Sequence, residues 1–486
     1  MSRLSPLVEH LLRRAGFGAT DSERTAFAPL NYTQAVDALL NYDPAKSDVV
    51  DTWIGTPGYV GITTHGQFTP NMVINDARQR WIFRMVHSPA PLQEKMSLLW
   101  HQHFATAYSK IAGAVGASDG TRMVAAKPTE DPGGARGQIE LFRQYALGSF
   151  RDLLIQVAQD PAMLVWLDGR TNFKAMPQEN FGRELMELFT VGVANYIETD
   201  VYAAAKVFTG WNLTTTGTAG TAAAFYAFNY NEGQHDTVAK DFSFPIFPDG
   251  SKRIPSRSAA SGYQDGIDLI SALAFHPETA KRLAGRLWTW FVSEIDAPDP
   301  NFIANIANVY LQNNTLMKPV IRAVLLSPQF MDPQHFYARY AWPSEFVVRA
   351  LKEVGYVGFS VNDAITPMLN MGQQLYEPPN VGGWVLGPGW FSTGGMLSRM
   401  NFASALATNQ KFALRTAASS SNASPEALAA FELATLTLPT LDPSVNNALL
   451  AYLRAGGPWT GSDTQLLSKA AGLVHLLAGS GDYQFV

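Results

Sequence analysis

Residues 3–18 read RLSPLVEHLLRRAGFG, and this opening stretch sets the fold class. Leu4, Leu7, Val8, Leu11 and Leu12 recur at the spacing of one helix face, and Gly16 and Gly18 then end the segment. A second helix is expected after Ser88, with Pro91 in its first turn, running through PLQEKMSLLWHQHF. The same spacing predicts helices over 139–145, 150–159, 180–190, 199–208, 266–275, 277–292, 301–312, 317–326 and 344–354. The expected class is therefore mainly α.

Three stretches break the pattern. Residues 56–71 and 112–137 are rich in Gly, Ala, Thr and Pro and read as long surface loops. Between 212 and 261, AFYAFNY and FSFPIF alternate aromatic and small residues, which fits a small β or irregular excursion. The expected organisation is one large helical domain over 1–416, with these insertions and an aromatic Gly/Pro loop at 376–395. AASSSNAS, 417–424, reads as a flexible connector, and 425–486 as a small helical segment packing on the main domain. No fixed-period repeat is present.

The chain has 486 residues, 47% hydrophobic and 16% charged, enough to bury a large core. A formal charge of -5 offers no basic excess for phosphates, which argues against a nucleic-acid partner. The absence of cysteine removes disulfides, thiolate metal sites and thiol nucleophiles together. Glu9, His10, Arg13 and Arg14 interrupt the opening apolar positions, so neither a signal-peptide core nor a membrane span is expected, and the chain as written reads as cytoplasmic.

Several segments form a recognisable set: HLLRRAGFG from His10, KMSLLWHQHFAT from Lys95, and the long run from Asp160 to Val201 containing DGRTNFKAMPQENFGRELMELF. AAKVFTGW ending at Trp211, HPETAKRLAGRLWTWFV from His276 and EPPNVGGWVLGPGWFSTGGMLSRMNFA from Glu377 complete it. Together they resemble the bacterial domain of unknown function 1800 family over nearly the whole chain. The resemblance implies a protein commonly exported and often encoded beside a domain of unknown function 1501 family protein, with no established reaction. Members often carry His-Asp-x-Gly-x-Lys in the middle excursion, whereas this chain has His235-Asp236-Thr237-Val238-Ala239-Lys240.

The densest polar group is NFGRELMELF, 180–189. About 100° per residue puts Asn180, Arg183, Glu184 and Glu187 in one arc, opposite Phe181, Leu185, Leu188 and Phe189. A solvated face with an ordinary i,i+4 pair, Glu179 to Arg183, is the plain reading. The functional reading rests on the preceding connector, LDGRTNFKAMPQE, which crowds Asp168, Arg170, Asn172, Lys174 and Glu179 beside that arc. Glu184, Glu187 and Asp168 are then candidate acid/base groups for a glycan hydrolase or lyase. Arg183, Asn180, Asn172 and Arg170 would orient the substrate. Glu184 and Glu187 would approach from one side, so a flanking carboxylate would have to come from elsewhere, such as Asp168 or Asp236.

In Tyr376–Gly395, Trp384 and Trp390 could stack on sugar rings while Asn380, Ser392 and Thr393 supply hydrogen bonds; a loop pinned to the core by its aromatics is the alternative. His101, His103 and His235 are weak metal candidates, since a helix would point His101 and His103 about 160° apart. Glu232-x-x-His235 has no second copy, and no His-Glu-x-x-His occurs. Gly116-x-Ser118-x-Gly120 matches a nucleophile elbow only formally, and Gly387-Pro-Gly389 lacks the rest of a dinucleotide fingerprint. Three functions stay open: a glycan-active enzyme, a noncatalytic binding or assembly protein partnering the neighbouring family, and a metal-dependent enzyme. No stretch identifies a cofactor.

Overall fold

The computed structural model describes residues 4–59, 67–356, 358–408, 419–436 and 441–486. Its centre is a group of helices buried on every side. Every residue of Pro91–His103 and of Pro343–Glu353 is buried, as is Ile74–His87 from Asp76 to Val86. A helix buried all round is ordinarily apolar all round. These carry charges instead, several of them matched by partners from distant parts of the chain. Arg84 donates to Asp51 at 2.8 and 2.6 Å and to Glu140 at 2.5 Å, while Arg143 joins Glu94 at 2.8 Å and Glu140 at 2.9 Å. Lys95 and Arg339 share Glu345.

The opening helix, Pro6–Gly16, is capped by the Ser5 side chain and ends on Phe17 in the left-handed region. Arg14 explains why this amphipathic stretch lies inside. Its guanidinium donates to the carbonyls of Phe291, Val292, His335 and Val486 at 2.7–2.8 Å, fastening the first helix to the middle and the end of the chain. Arg349 and Arg24 reach the carbonyls of Leu436 and Thr435, so the 425–486 segment is bonded into the same body.

The excursion over 212–261 contains two small antiparallel pairs, Trp211–Thr216 with Phe225–Tyr230 and Lys240–Asp241 with Arg253–Ile254. FSFPIF forms no strand of its own; it tucks Phe242, Phe244 and Ile246 into the core.

Two loop expectations need correction. The 112–137 stretch is largely helical in its first half, with Tyr108–Val115 and Ala117–Ala125 joined at Gly116, whose φ is 96°. Its small residues serve close packing rather than a loop: a Cβ on Gly120 would stand 3.0 Å from the Ala112 backbone. The 376–395 stretch includes a 3-10 turn, Gly387–Phe391, and a helix already begins at Thr393. Of the 56–71 loop, residues 60–66 lie outside the described residues, as do residues 417 and 418 of the expected connector; Ser419–Asn422 forms a 3-10 turn. Among the described residues, no helix is long and apolar enough to cross a membrane.

Candidate functional site

The polar segment at 180–190 is not one α-helix. Asn180–Glu184 is α-helical and Leu185–Phe189 continues as a π-helix. Bonding from i to i+5 winds the chain wider, so Glu187 is turned further from Glu184 than α-helical spacing would place it. What selects the wider turn is the set of partners its carbonyls find. Leu185 O accepts from Thr190 Oγ1 at 2.6 Å, Met186 O from the Gly192 N–H at 2.9 Å, and Phe189 O from His103 Nε2 at 3.0 Å. Leu188 O receives Arg282 at 3.4 Å and Arg286 at 3.3 Å. Gly192, at φ 83°, leaves room for this approach, because a Cβ there would stand 2.8 Å from the Arg282 guanidinium.

Three of the segments that carry the family resemblance therefore meet at this turn: the histidine of WHQHF, the glutamates of RELMELF and the arginines of KRLAGR. Glu184 is partly exposed and makes no hydrogen bond among the described residues. Burial, and then the neighbouring Glu187 carboxylate, raise its carboxyl above the ordinary range. Glu187 accepts from the Tyr196 hydroxyl at 2.6 Å, and burial together with that bond pushes the phenol up to about 12, which keeps it a donor. Arg286 has no carboxylate partner among the described residues; burial, then Arg282 one turn away, pull it down to about 10, still protonated at neutral pH. Arg282 keeps its Nε buried and unsatisfied.

The remaining sequence candidates divide around this turn. Asp168, at φ 62°, is partly exposed; it accepts from Asn180 at 2.9 Å and pairs with Lys110 at 3.3 Å, which ties it to the start of the helix. Arg183 is committed to Glu198 at 2.6 Å and Glu179 at 3.2 Å, a partly exposed ion-pair set of small stabilising worth. Arg170 is exposed. Asn172 is buried and structural, donating to Ala205 O and accepting from the Gln178 N–H, each at 3.0 Å.

The tryptophan platform does not form. Trp384 and Trp390 are 5% and 3% exposed, and both pack on the buried Trp342, with ring centroids at 6.4 and 5.7 Å. Gln102 clamps the Trp384 backbone by accepting from its N–H at 2.8 Å and donating to its carbonyl at 3.1 Å. Asn380 is exposed, and its side chain closes a local turn by accepting from the Gly382 N–H. Rings enclosed in this way serve packing, which is the alternative the sequence leaves open.

The histidines are likewise internal. His101 accepts from the Tyr376 N–H at 3.1 Å, and burial pulls its ring down to about 3. His103 must carry its proton on Nε2 to donate to Phe189 O, which leaves Nδ1 bare and buried. His235 donates from Nδ1 to Thr209 O at 2.8 Å and meets Asp265 at 3.3 Å through Nε2. Lys240 joins the same Asp265 at 2.6 Å and Arg257 at 2.5 Å. Burial opposes ionisation of Asp265, but the bonds from His235, Lys240 and Arg257 outweigh it and hold the carboxyl below its usual range. His235 and Lys240 thus latch the β excursion onto the following helix, Tyr263–Ala274, without needing the glycine that the chain lacks. Among the described residues, no group of three or more His, Asp or Glu is arranged to hold a metal ion. Ser118 is the second residue of a helix that follows another helix, not a strand, so it is not on a nucleophile elbow.

Tyr196, Arg282 and Arg286 are the members of the site that sequence reading missed. The signal available for the arginines was a like-charged i,i+4 pair, unusual without a binding or packing reason.

A family model described as "Protein of unknown function (DUF1800)" matches residues 10–485. No curated protein matches the chain. No solved structure matches it either.

Proposed function

The chain belongs to the DUF1800 family, whose description assigns no reaction, and from its geometry we propose a noncatalytic binding protein that docks a partner protein across the π-helical turn at Leu185–Phe189. The observation that carries this reading is the coexistence, at and just after one partly exposed turn, of Glu184 and Arg286, without side-chain ion partners among the described residues, and of exposed Val193 and Ile197. Apolar side chains bordered by opposite charges that lack ion partners are what a specific protein contact covers. The matching surface presents an acidic residue to Arg286, a basic residue to Glu184 and an apolar patch to Val193 and Ile197. The domain of unknown function 1501 family protein that the resemblance places alongside is the occupant this reading commits to.

Co-purification with that protein tests it. The double substitution Glu184→Arg and Val193→Asp is expected to weaken binding at least about 100-fold, since a reversed charge and a buried acid both oppose docking. Undiminished binding by this variant would place any contact elsewhere.

One observation favours a second reading, a glycan hydrolase. A carboxyl raised by burial and by an adjacent carboxylate suits a general acid. Glu184 would give its proton to the leaving oxygen as the glycosidic C–O bond breaks, and water would add to the sugar carbon and give a proton to Glu187. Here Glu184→Gln is expected to remove turnover of a glycan while partner binding persists. The origin of both carboxylates on one short helical segment and the enclosed tryptophans leave this reading second.

A further inference from the structure

A cavity of about 840 Å³ lies where seven elements meet: the helices Asp21–Phe27 and Tyr32–Leu40, the turn Val49–Trp53, the ends of Ile74–His87 and Pro343–Glu353, the start of Pro91–His103, and the helix Pro425–Thr435. None of its lining residues belongs to the π-helical turn, so it is separate from the docking face. Its walls are partly apolar, with Phe27, Trp53, Val86 and Phe431. Its volume far exceeds the roughly 30 Å³ that one water occupies in the liquid.

The charged lining is unbalanced. Asp21, Glu23, Glu353 and Glu432 face one lysine, Lys352, together with His87. Lys352 is already engaged, bonded to Glu23 at 2.9 Å and to Gly16 O at 3.1 Å. Glu353 is answered by Arg349 at 3.1 Å and the Tyr483 hydroxyl at 2.7 Å. Arg24, one residue on from Glu23, donates from both terminal nitrogens to the carbonyls of Ala19, Ala434 and Thr435. Glu432 is the exception: it is 2% exposed, its Oε1 has no hydrogen-bond partner, and no cation among the described residues pairs with it. A buried carboxyl without a partner is costly in either protonation state unless something supplies a donor.

We propose that this cavity is a binding site for a small organic ammonium on an apolar body, with the Glu432 carboxylate as its counter-ion and Trp53, Phe27 and Phe431 against its hydrocarbon. The unpartnered Glu432 carboxylate selects a cation over a carboxylate, and aromatic rings beside a desolvated cation add to that preference. A neutral alcohol could donate one hydrogen bond to Glu432 but would gain nothing from the surrounding charge. Burial raises the empty-site carboxyl to about 8, so at neutral pH the ligand's charge must displace a proton. Affinity should therefore fall about tenfold for each pH unit below about 8.

The test is calorimetric titration of the full chain with benzylammonium, benzyl alcohol and phenylacetate as probes. Benzylammonium is expected to bind with a stoichiometry of one and to release a proton at pH 7, read as a heat that differs between phosphate and Tris buffers. Benzyl alcohol and phenylacetate should bind at least about tenfold more weakly. Glu432→Gln keeps shape and neutral hydrogen bonding, so the variant should fold, lose at least about tenfold in benzylammonium affinity and lose the proton release. No binding of benzylammonium, equal binding of benzyl alcohol, or undiminished binding by Glu432→Gln would each overturn the proposal.

Discussion

Glu345→Ala is expected to lower the stability of the chain by about 3–5 kcal/mol, the cost of leaving buried charges without their counter-ion. The Glu345 carboxylate accepts from Arg339 at 2.9 and 3.2 Å, from Lys95, and from the Trp342 N–H at 3.1 Å, where it completes the cap of its own helix. All of these groups are buried, so water cannot replace what the substitution removes. Arg339 is the firmer of the two cations, because its guanidinium stays charged whereas burial pulls Lys95 down to about 8. The effect is large against total stabilities of about 5–15 kcal/mol, and urea unfolding measures it directly. The same group sets an acid limit. Burial opposes its ionisation, but Arg339 and Lys95 prevail and bring the carboxyl from 4.5 to about 2. A depressed carboxyl gives stability that is fully present above its unfolded value and lost on acidification. The stability difference between wild type and Glu345→Gln should thus shrink as pH falls from 4.5 toward 2.

Trp384→Ala carries the second large effect, about 3–5 kcal/mol, the usual cost of emptying a buried aromatic site. Its ring packs on His101 at 5.2 Å and on Trp342, and Gln102 holds its backbone on both sides. The adjacent Gly383, at φ 87°, is part of that clamp, since a Cβ there would stand 2.5 Å from Gln102 Oε1. The expected result is a lowered denaturation midpoint in chemical unfolding. An unchanged midpoint with lost affinity for a sugar would instead restore the ring to a ligand platform.

These two residues mark where the sequence stops being legible. Helix positions follow from local spacing: the expected 150–159 helix is Phe150–Gln159, and the i,i+4 pair of Glu179 and Arg183 forms at 3.2 Å. Such features depend on residues within one or two turns. Lys95 and Glu345 lie 250 positions apart, and nothing near either one announces the other. His101 and His103 point to different sides of their helix, yet both are buried, because that helix is enclosed on all sides rather than amphipathic. The π-helical turn was equally out of reach. LMELF has the apolar spacing of an α-helix, and the wider winding is chosen by His103, Arg282, Arg286 and Thr190, which arrive from other elements or from the turn's own end. The tryptophan loop misleads for the opposite reason: its composition is that of a binding loop, and only tertiary contact reveals that its rings face inward.

Amide hydrogen exchange of the chain, alone and saturated with the domain of unknown function 1501 family protein, tests docking at the π-helical turn most directly. Slowed exchange is expected across 183–197 and 280–287, with the cavity-lining helix Pro425–Thr435 unchanged. Protection confined to other segments, or none at saturation, would contradict docking there.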